Sequence, residues 1–154
     1  MPLYSAGLLP FHRGHGELSV FIVHMGGPYF GHRDAGGWSL AKGMYDPGEE
    51  TPEAAARREF AEEVGTPPPE GDLLDLGEVR LSSGKRVHGF GVNASPELAF
   101  VASNTFELEW PRNSGRMRTY PEVDRAAWFD TRTARTKLTS GQVPLIGALE
   151  RILA

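Results

Sequence analysis

The sequence predicts an α/β fold in which a mixed sheet is covered by helices. Three observations point there. Short β-branched and aromatic runs stand on both sides of one well-capped helical stretch, a second helical stretch closes the chain, and no internal repeat or low-complexity segment interrupts the order. At 154 residues the chain has the size of one compact domain, so residues 1–154 are expected to share one fold.

The elements follow in order. Leu18–His24 holds Val20, Phe21, Ile22 and Val23 in a run too short for a helix and reads as a buried strand. From Met25 to Gly37 the chain carries Gly26, Gly27, Pro28, Gly31, Gly36 and Gly37, a density that predicts a surface loop, and long loops of this kind are often functional. Trp38–Ala41 reads as a short strand feeding a glycine-bearing turn over Lys42–Glu50. A helix is predicted over about Pro52–Val64: Thr51 is its N-cap, Pro52 occupies the first helical position and Glu53 sits where the dipole favours an anion. Gly65 and the run Pro67-Pro68-Pro69 end it, and Ala56, Phe60 and Val64 form its core stripe. Leu73–Leu81 and Arg86–Val92 read as strands joined by a hairpin turn at Ser82-Ser83-Gly84, with further strands at Leu98–Ala102 and Ala126–Phe129. Val143, Leu145, Ile146, Leu149, Ile152 and Leu153 recur at helical spacing and predict a terminal amphipathic helix, with Pro144 tolerated in its first turn.

Composition removes several function classes. Twenty acidic against sixteen basic residues give a formal charge of -4, which disfavours a sequence-independent grip on nucleic acid or an anionic membrane. The absence of cysteine excludes disulfides, thiolate catalysis and sulfur-ligated zinc, and it fits a reducing compartment. The start, Met1 to Pro10, lacks the basic lead of an export signal, and no segment approaches the ~18 apolar residues of a membrane span. The expectation is a soluble cytoplasmic protein with no stable nucleic-acid partner, monomeric or homodimeric. A Gly-x-x-x-x-Gly-Lys-Ser/Thr loop and a Gly-x-Ser-x-Gly elbow are both missing, and Gly89-Phe90-Gly91 lacks the third glycine of a dinucleotide fingerprint.

The informative cluster is Glu59, Glu62 and Glu63. At about 100° per residue they fall within an arc of little more than a quarter turn. Like charges so spaced repel, and Glu62 and Glu63 lie in the last turn, where the helix dipole disfavours anions. A solvated acidic face is the ordinary account of such a run. Yet a helix with well-chosen ends and ill-placed charge is where a functional site is expected. A hard divalent cation resolves the conflict, and oxygen-only ligands suit Mg²⁺ or Mn²⁺.

The neighbouring string favours that account. Gly43 to Gly65 resembles the signature of the Nudix hydrolase family: a glycine, five residues, a glutamate, seven residues, then Arg-Glu-aliphatic-x-Glu-Glu-x-Gly-aliphatic. Arg58-Glu59-Phe60-Ala61-Glu62-Glu63-Val64-Gly65 matches the second half in order and spacing, with Phe60 at the first aliphatic position and Thr66 in place of the last. The first half departs by one residue. Glu50 keeps the seven-residue spacing to Arg58 but stands six residues after Gly43, whereas Glu49 keeps the five-residue spacing and stands eight before Arg58. Keeping Glu50 in register leaves the helix start at Thr51-Pro52 undisturbed. Lys42-Gly43-Met44-Tyr45, Phe106 to Pro111 and Pro121 to Asp124 are similar to strings of a bacterial subgroup of that family.

The resemblance implies an α/β/α sandwich of Nudix type and hydrolysis of a nucleoside diphosphate linked to another group, by attack of water at phosphorus with Mg²⁺ or Mn²⁺. It carries the metal ligands onto Glu59 and Glu63, with Glu62 as a further ligand or the base, and a backbone carbonyl at Lys42 or Gly43. Arg58 is then expected to brace the loop through Glu50. Such chemistry needs neutralised oxygens and an oriented water more than covalent assistance. Glu107, Glu109 and Glu122 are further candidates for the base, although Glu107 and Glu109 alternate with Phe106, Leu108 and Trp110 as a half-exposed strand would. A Nudix-like module that binds without turnover is one competing reading. An isoprenoid diphosphate isomerase is another, disfavoured by the lack of any cysteine acid.

Outside the signature, Arg33, Lys42, Lys85 and Arg86 are positioned to meet a substrate phosphate, Lys42 best because it adjoins the signature; solvated charge is the ordinary account of each. Tyr29, Phe30 and Trp38 are candidates to stack on a base, against the commoner role of packing.

Overall fold

The computed structural model describes residues 3–154; Met1 and Pro2, which open the N-terminal segment considered above as a leader, lie outside the described residues. Among the described residues, nine strands and three α-helices follow one another. They are β1 (Tyr4–Gly14), β2 (Glu17–Met25), β3 (Trp38–Ser39), β4 (Ala41–Met44), α1 (Pro52–Val64), β5 (Leu74–Arg80), β6 (Arg86–Asn93), β7 (Thr105–Glu109), β8 (Met117–Pro121), β9 (Val123–Asp130), α2 (Thr131–Lys137) and α3 (Val143–Leu153). A single 3-10 turn at Ser140–Gln142 precedes α3.

Seven strands make one mixed sheet of order β3-β2-β1-β6-β5, with β4 paired to β1 and β9 to β2; β7 and β8 form a separate two-stranded ribbon. The pairing of β1 with β6 is parallel and the others are antiparallel. Each face of the sheet buries its own core. Ala6, Leu8, Phe21, Val23, Phe90 and Val92 pack with Ala56, Phe60 and Val64 of α1. Leu9, Phe11, Val20, Ile22 and Leu40 pack with Ala134 of α2 and Leu145, Ile146 and Leu149 of α3. Helices therefore cover both faces, as the sequence predicts. Among the described residues, no helix is long and apolar enough to cross a membrane.

Helix α1 has the predicted bounds and ends. The Thr51 side chain accepts from the Ala54 N–H at 3.1 Å, and Gly65 takes the left-handed conformation at φ 78°. Several elements depart from the sequence reading, among them β4, which runs on to Met44 where the turn is expected to begin at Lys42. Leu98–Ala102 is not a strand: its end caps α1, with the Val101 and Ala102 N–H groups donating to the Val64 carbonyl at 2.9 and 3.2 Å. The sequence reading has no strand at Tyr4–Gly14, yet β1 is central to the sheet. Pro10 interrupts the pattern, but it lies between Leu8, where pairing with β4 ends, and Phe11, where pairing with β2 begins, so its missing N–H falls at a change of partner. Strand β8 is exposed along most of its length and carries no apolar alternation. Helix α2 is only seven residues long and rests on its Asp130 cap rather than on a stripe.

Candidate active site

The C-terminal half of α1, strand β4, the β5–β6 turn and the segments flanking the β7–β8 ribbon enclose a cleft of about 530 Å³. Lys42, Gly43, Glu59, Glu62, Glu63 and Lys85 line it, joined by Asn104 and Glu122. Strands β1 and β4 bring Gly43 opposite Ala6 and Lys42 opposite Gly7. The helix lies across them with Ala55, Ala56, Phe60 and Val64 in the core, and the same burial carries Glu59 and Glu63 inward. Glu62, one position off that face, remains exposed.

Gly43 and Glu59 are in intimate contact. A side chain at residue 43 would meet the Glu59 carboxylate, which would have to move aside. Arg58 organises the rest of the acidic face. Its Nη2 donates to Glu50 Oε1 at 2.6 Å, and its Nη1 donates to Glu59 Oε1 at 2.8 Å and to Glu62 Oε1 at 3.3 Å. Glu50, not Glu49, is the partner. The extra residue of the loop is absorbed between Asp46 and Glu50, where the Glu49 and Glu50 N–H groups both donate to the Asp46 carbonyl and the Gly48 N–H donates to its side chain.

Electrostatically the cleft is crowded with negative charge. Burial pushes the Glu63 carboxyl up to about 8, and the Glu122 and Glu59 charges add to the shift. Burial also raises Glu59 against the pull of Arg58. The Lys42 ammonium is lowered by burial, with Glu63 acting in the opposite sense. Among the described residues, no group of three or more His, Asp or Glu side chains is already drawn around one point. The candidate ligands are nonetheless all hard oxygens, the donor type that suits Mg²⁺ or Mn²⁺.

Not every residue singled out from the sequence reaches this cleft. Arg86 lies over the Tyr4 ring and pairs with Glu78 at 3.3 Å. Arg33 lies over Phe30, and its carbonyl accepts from His24 Nε2. Glu107 is exposed on the ribbon, and Glu109 accepts from the Asn113 N–H at 2.9 Å. Trp38 is buried in the core, its Nε1 donating to Asp34 at 3.0 Å.

Two features had no sequence signal. Asn104 joins the cleft because its N–H donates to the Glu62 carbonyl at 2.9 Å, past the end of α1. His24, fully buried, ties the glycine-rich loop to β9 by meeting Asp124 at 2.7 Å on one nitrogen and the Arg33 carbonyl on the other. A strand-embedded histidine looks ordinary in sequence.

Comparison with known proteins gives a consistent result. The family model described as NUDIX domain matches residues 1–149. Among solved structures, the chain is similar to the NUDIX domain of Shewanella oneidensis NrtR complexed with ADP ribose, with a TM-score of 0.64, 17% identity, and 100% of this chain and 90% of that chain covered. It is also similar to the Ap4A hydrolase of C. elegans, with a TM-score of 0.64, 17% identity and 100% of both chains covered. For a mutT/nudix family protein from Listeria innocua the TM-score is 0.63 and the identity 17%, over 99% of this chain and 95% of that one. At these identities the likeness concerns the fold. No curated relative matches the chain.

Proposed function

The chain belongs to the NUDIX domain family, and we propose that it is a pyrophosphohydrolase that cleaves a diphosphate linkage in a nucleoside diphosphate derivative. The observation that carries this reading is the charge distribution of the cleft, which places Glu59, Glu62, Glu63 and Glu122 together with Lys42 and Lys85. Carboxylates alone repel a diphosphate. Two lysines beside them make sense where an anionic substrate meets a bound cation.

Glu59 and Glu63, with Glu62 and the backbone carbonyl of Lys42 or Gly43, would hold Mg²⁺ or Mn²⁺, which when bound supplies neutralisation of the phosphate oxygens and Lewis acidity. Lys42 and Lys85 bind non-bridging phosphate oxygens. Arg58 fixes Glu59 and Glu62 from one side and locks the loop through Glu50 from the other. Water attacks phosphorus, its proton passes to a carboxylate at the cleft, Glu62 or Glu122, and the bridging P–O bond breaks with its electron pair on the departing phosphate. Glu107 and Glu109 stand outside the cleft and take no part in this scheme. The cysteine-free composition suits a reducing, cytoplasmic setting.

A panel of nucleoside diphosphate derivatives incubated with Mg²⁺, Mn²⁺ or a chelator tests the reading. Metal-dependent release of phosphate-bearing products, with ¹⁸O from labelled water entering the phosphate, is expected. A second reading, a domain that binds nucleotide without turnover, draws on Arg58, which already engages Glu59 and Glu62. Saturable binding without product across the panel would establish that reading instead.

A further inference from the structure

Lys42 and Gly43 reach the cleft on β4, and the chain enters β4 through a turn. Trp38 and Ser39 of β3 pair antiparallel with β2, whereas Ala41 to Met44 of β4 pair antiparallel with β1. Since β1 and β2 are themselves antiparallel, the chain reverses its sense between the two strands, at Leu40. Leu40 belongs to neither ladder and is 1% exposed, so its N–H and carbonyl need partners from elsewhere.

Gln142 supplies them from the other layer. It stands at the start of α3, on the sheet face opposite α1, and is itself 1% exposed. Its Oε1 accepts from the Leu40 N–H at 2.9 Å, and its Nε2 donates to Ser39 Oγ at 3.0 Å. That hydroxyl in turn donates to the Leu40 carbonyl at 2.7 Å. A backbone N–H can only donate, which fixes the amide oxygen on Leu40 and leaves the amide nitrogen for Ser39. Main-chain bonds close the circuit: the Gln142 N–H donates to the Thr139 carbonyl and the Thr139 N–H to the Trp38 carbonyl, each at 3.0 Å. One side chain therefore satisfies both polar groups of the turn, directly or through Ser39.

Beyond the turn, β4 is tightly confined. A Cβ on Gly7 of β1 would lie 2.7 Å from the Lys42 Cβ, so Lys42 sits over bare backbone, and Gly43 lies against the Glu59 carboxylate. Ser39, Leu40, Lys42 and Gly43 all line the cleft. In a close-packed interior a shift of the turn is passed on to the Lys42 side chain and to Glu59.

We propose that Gln142 is a positioning residue: it sets the turn at Leu40, and through β4 it places Lys42 and the Gly43 backbone against Glu59. The inference rests on the hydrolase reading only for the metal and phosphate that this placement serves.

The test compares Gln142→Leu, Gln142→Glu and Ser39→Ala with the wild-type chain, following Mn²⁺ binding by calorimetry and turnover of the nucleoside diphosphate panel well below the Tm of each variant. Gln142→Leu keeps much of the volume and removes both hydrogen bonds. Mn²⁺ affinity and kcat should each fall about tenfold, the scale of one lost buried hydrogen bond. Ser39→Ala should show part of both losses, and it carries the test if the leucine variant does not fold. In Gln142→Glu a protonated carboxyl reproduces the amide pattern, accepting from Leu40 and donating to Ser39, so at mildly acid pH this variant should recover most of what the leucine variant loses. Wild-type Mn²⁺ affinity and kcat in Gln142→Leu or in Ser39→Ala, with Tm alone lowered, overturn the inference and leave the hydrolase reading intact. A glutamate variant no better than the leucine one overturns it too, as does a wild-type chain that binds no Mn²⁺. Mn²⁺ affinity that depends on Gln142 in a protein that hydrolyses none of the panel sustains the inference, and the hydrolase reading falls.

Discussion

The carboxylate of Glu59 occupies the space in which a side chain of Gly43 would lie. Bare backbone on β4 is thus what lets the second turn from the end of α1 seat a carboxylate against the strand. Gly43→Ala must displace Glu59 or part helix from strand. Overpacking of this kind costs about 1–3 kcal/mol. The expected result is a lowered Tm together with a turnover rate reduced by on the order of a hundredfold, an effect of about 2.7 kcal/mol on the barrier. An alanine variant with wild-type turnover would show that the contact is not needed for chemistry.

Glu63→Gln should abolish metal-dependent turnover and, without metal, stabilise the protein at alkaline pH. The sign follows from the raised carboxyl, which titrates at about 8 in the fold and at 4.5 when solvated. The folded state prefers the protonated form, so the contribution to stability is complete below pH 4.5 and disappears as pH rises through 8. Thermal melts of the metal-free protein should therefore show Tm falling between these limits, with the slope reduced in the glutamine variant. Mg²⁺ or Mn²⁺ should raise the wild-type Tm most at the upper end. Parallel pH profiles for the two proteins would contradict this.

Arg58 discriminates two adjacent glutamates. It pairs with Glu50 at 2.6 Å, while Glu49 is exposed in the turn. Glu50→Gln should slow turnover by on the order of tenfold, because loosening Arg58 frees Glu59 and Glu62 as well. Glu49→Gln should leave the rate within about twofold, as expected for an exposed group without partners. Steady-state kinetics on both variants decides the matter, and equal effects would refute the assignment.

Thr51 caps the helix that carries the acidic face, accepting from the Ala54 N–H at 3.1 Å. Thr51→Ala should cost about 1 kcal/mol and lower Tm by about 2–4 °C with kcat little changed, since the cap lies at the opposite end of α1 from Glu62 and Glu63. Calorimetry gives the first quantity and kinetics the second. A large loss of kcat with small change in Tm would mean that the cap does more than hold the helix.

What the sequence by itself determined is local. The bounds of α1, its Thr51 and Gly65 ends, and the shared face of Glu59, Glu62 and Glu63 follow from capping chemistry and helical period, both of which act within a few residues. The partnership of Arg58 with Glu50 was expected only through the resemblance of Gly43 to Gly65 to the family signature, which left Glu49 as the alternative register. Tertiary structure decided the rest. Leu98–Ala102 has strand composition, yet free carbonyls at the end of α1 take up its N–H groups. Strand β1 is buried on both faces and lost the alternation that marks a strand, so its central place emerges only from the partners around it. Lys85, Asn104 and Glu122 enter the cleft from segments distant in sequence, and Gln142 reaches Leu40 from the far end of the chain. Side-chain periodicity records what one element presents. Which elements meet is fixed by burial shared between faces, a property of the packed sheet and helices together.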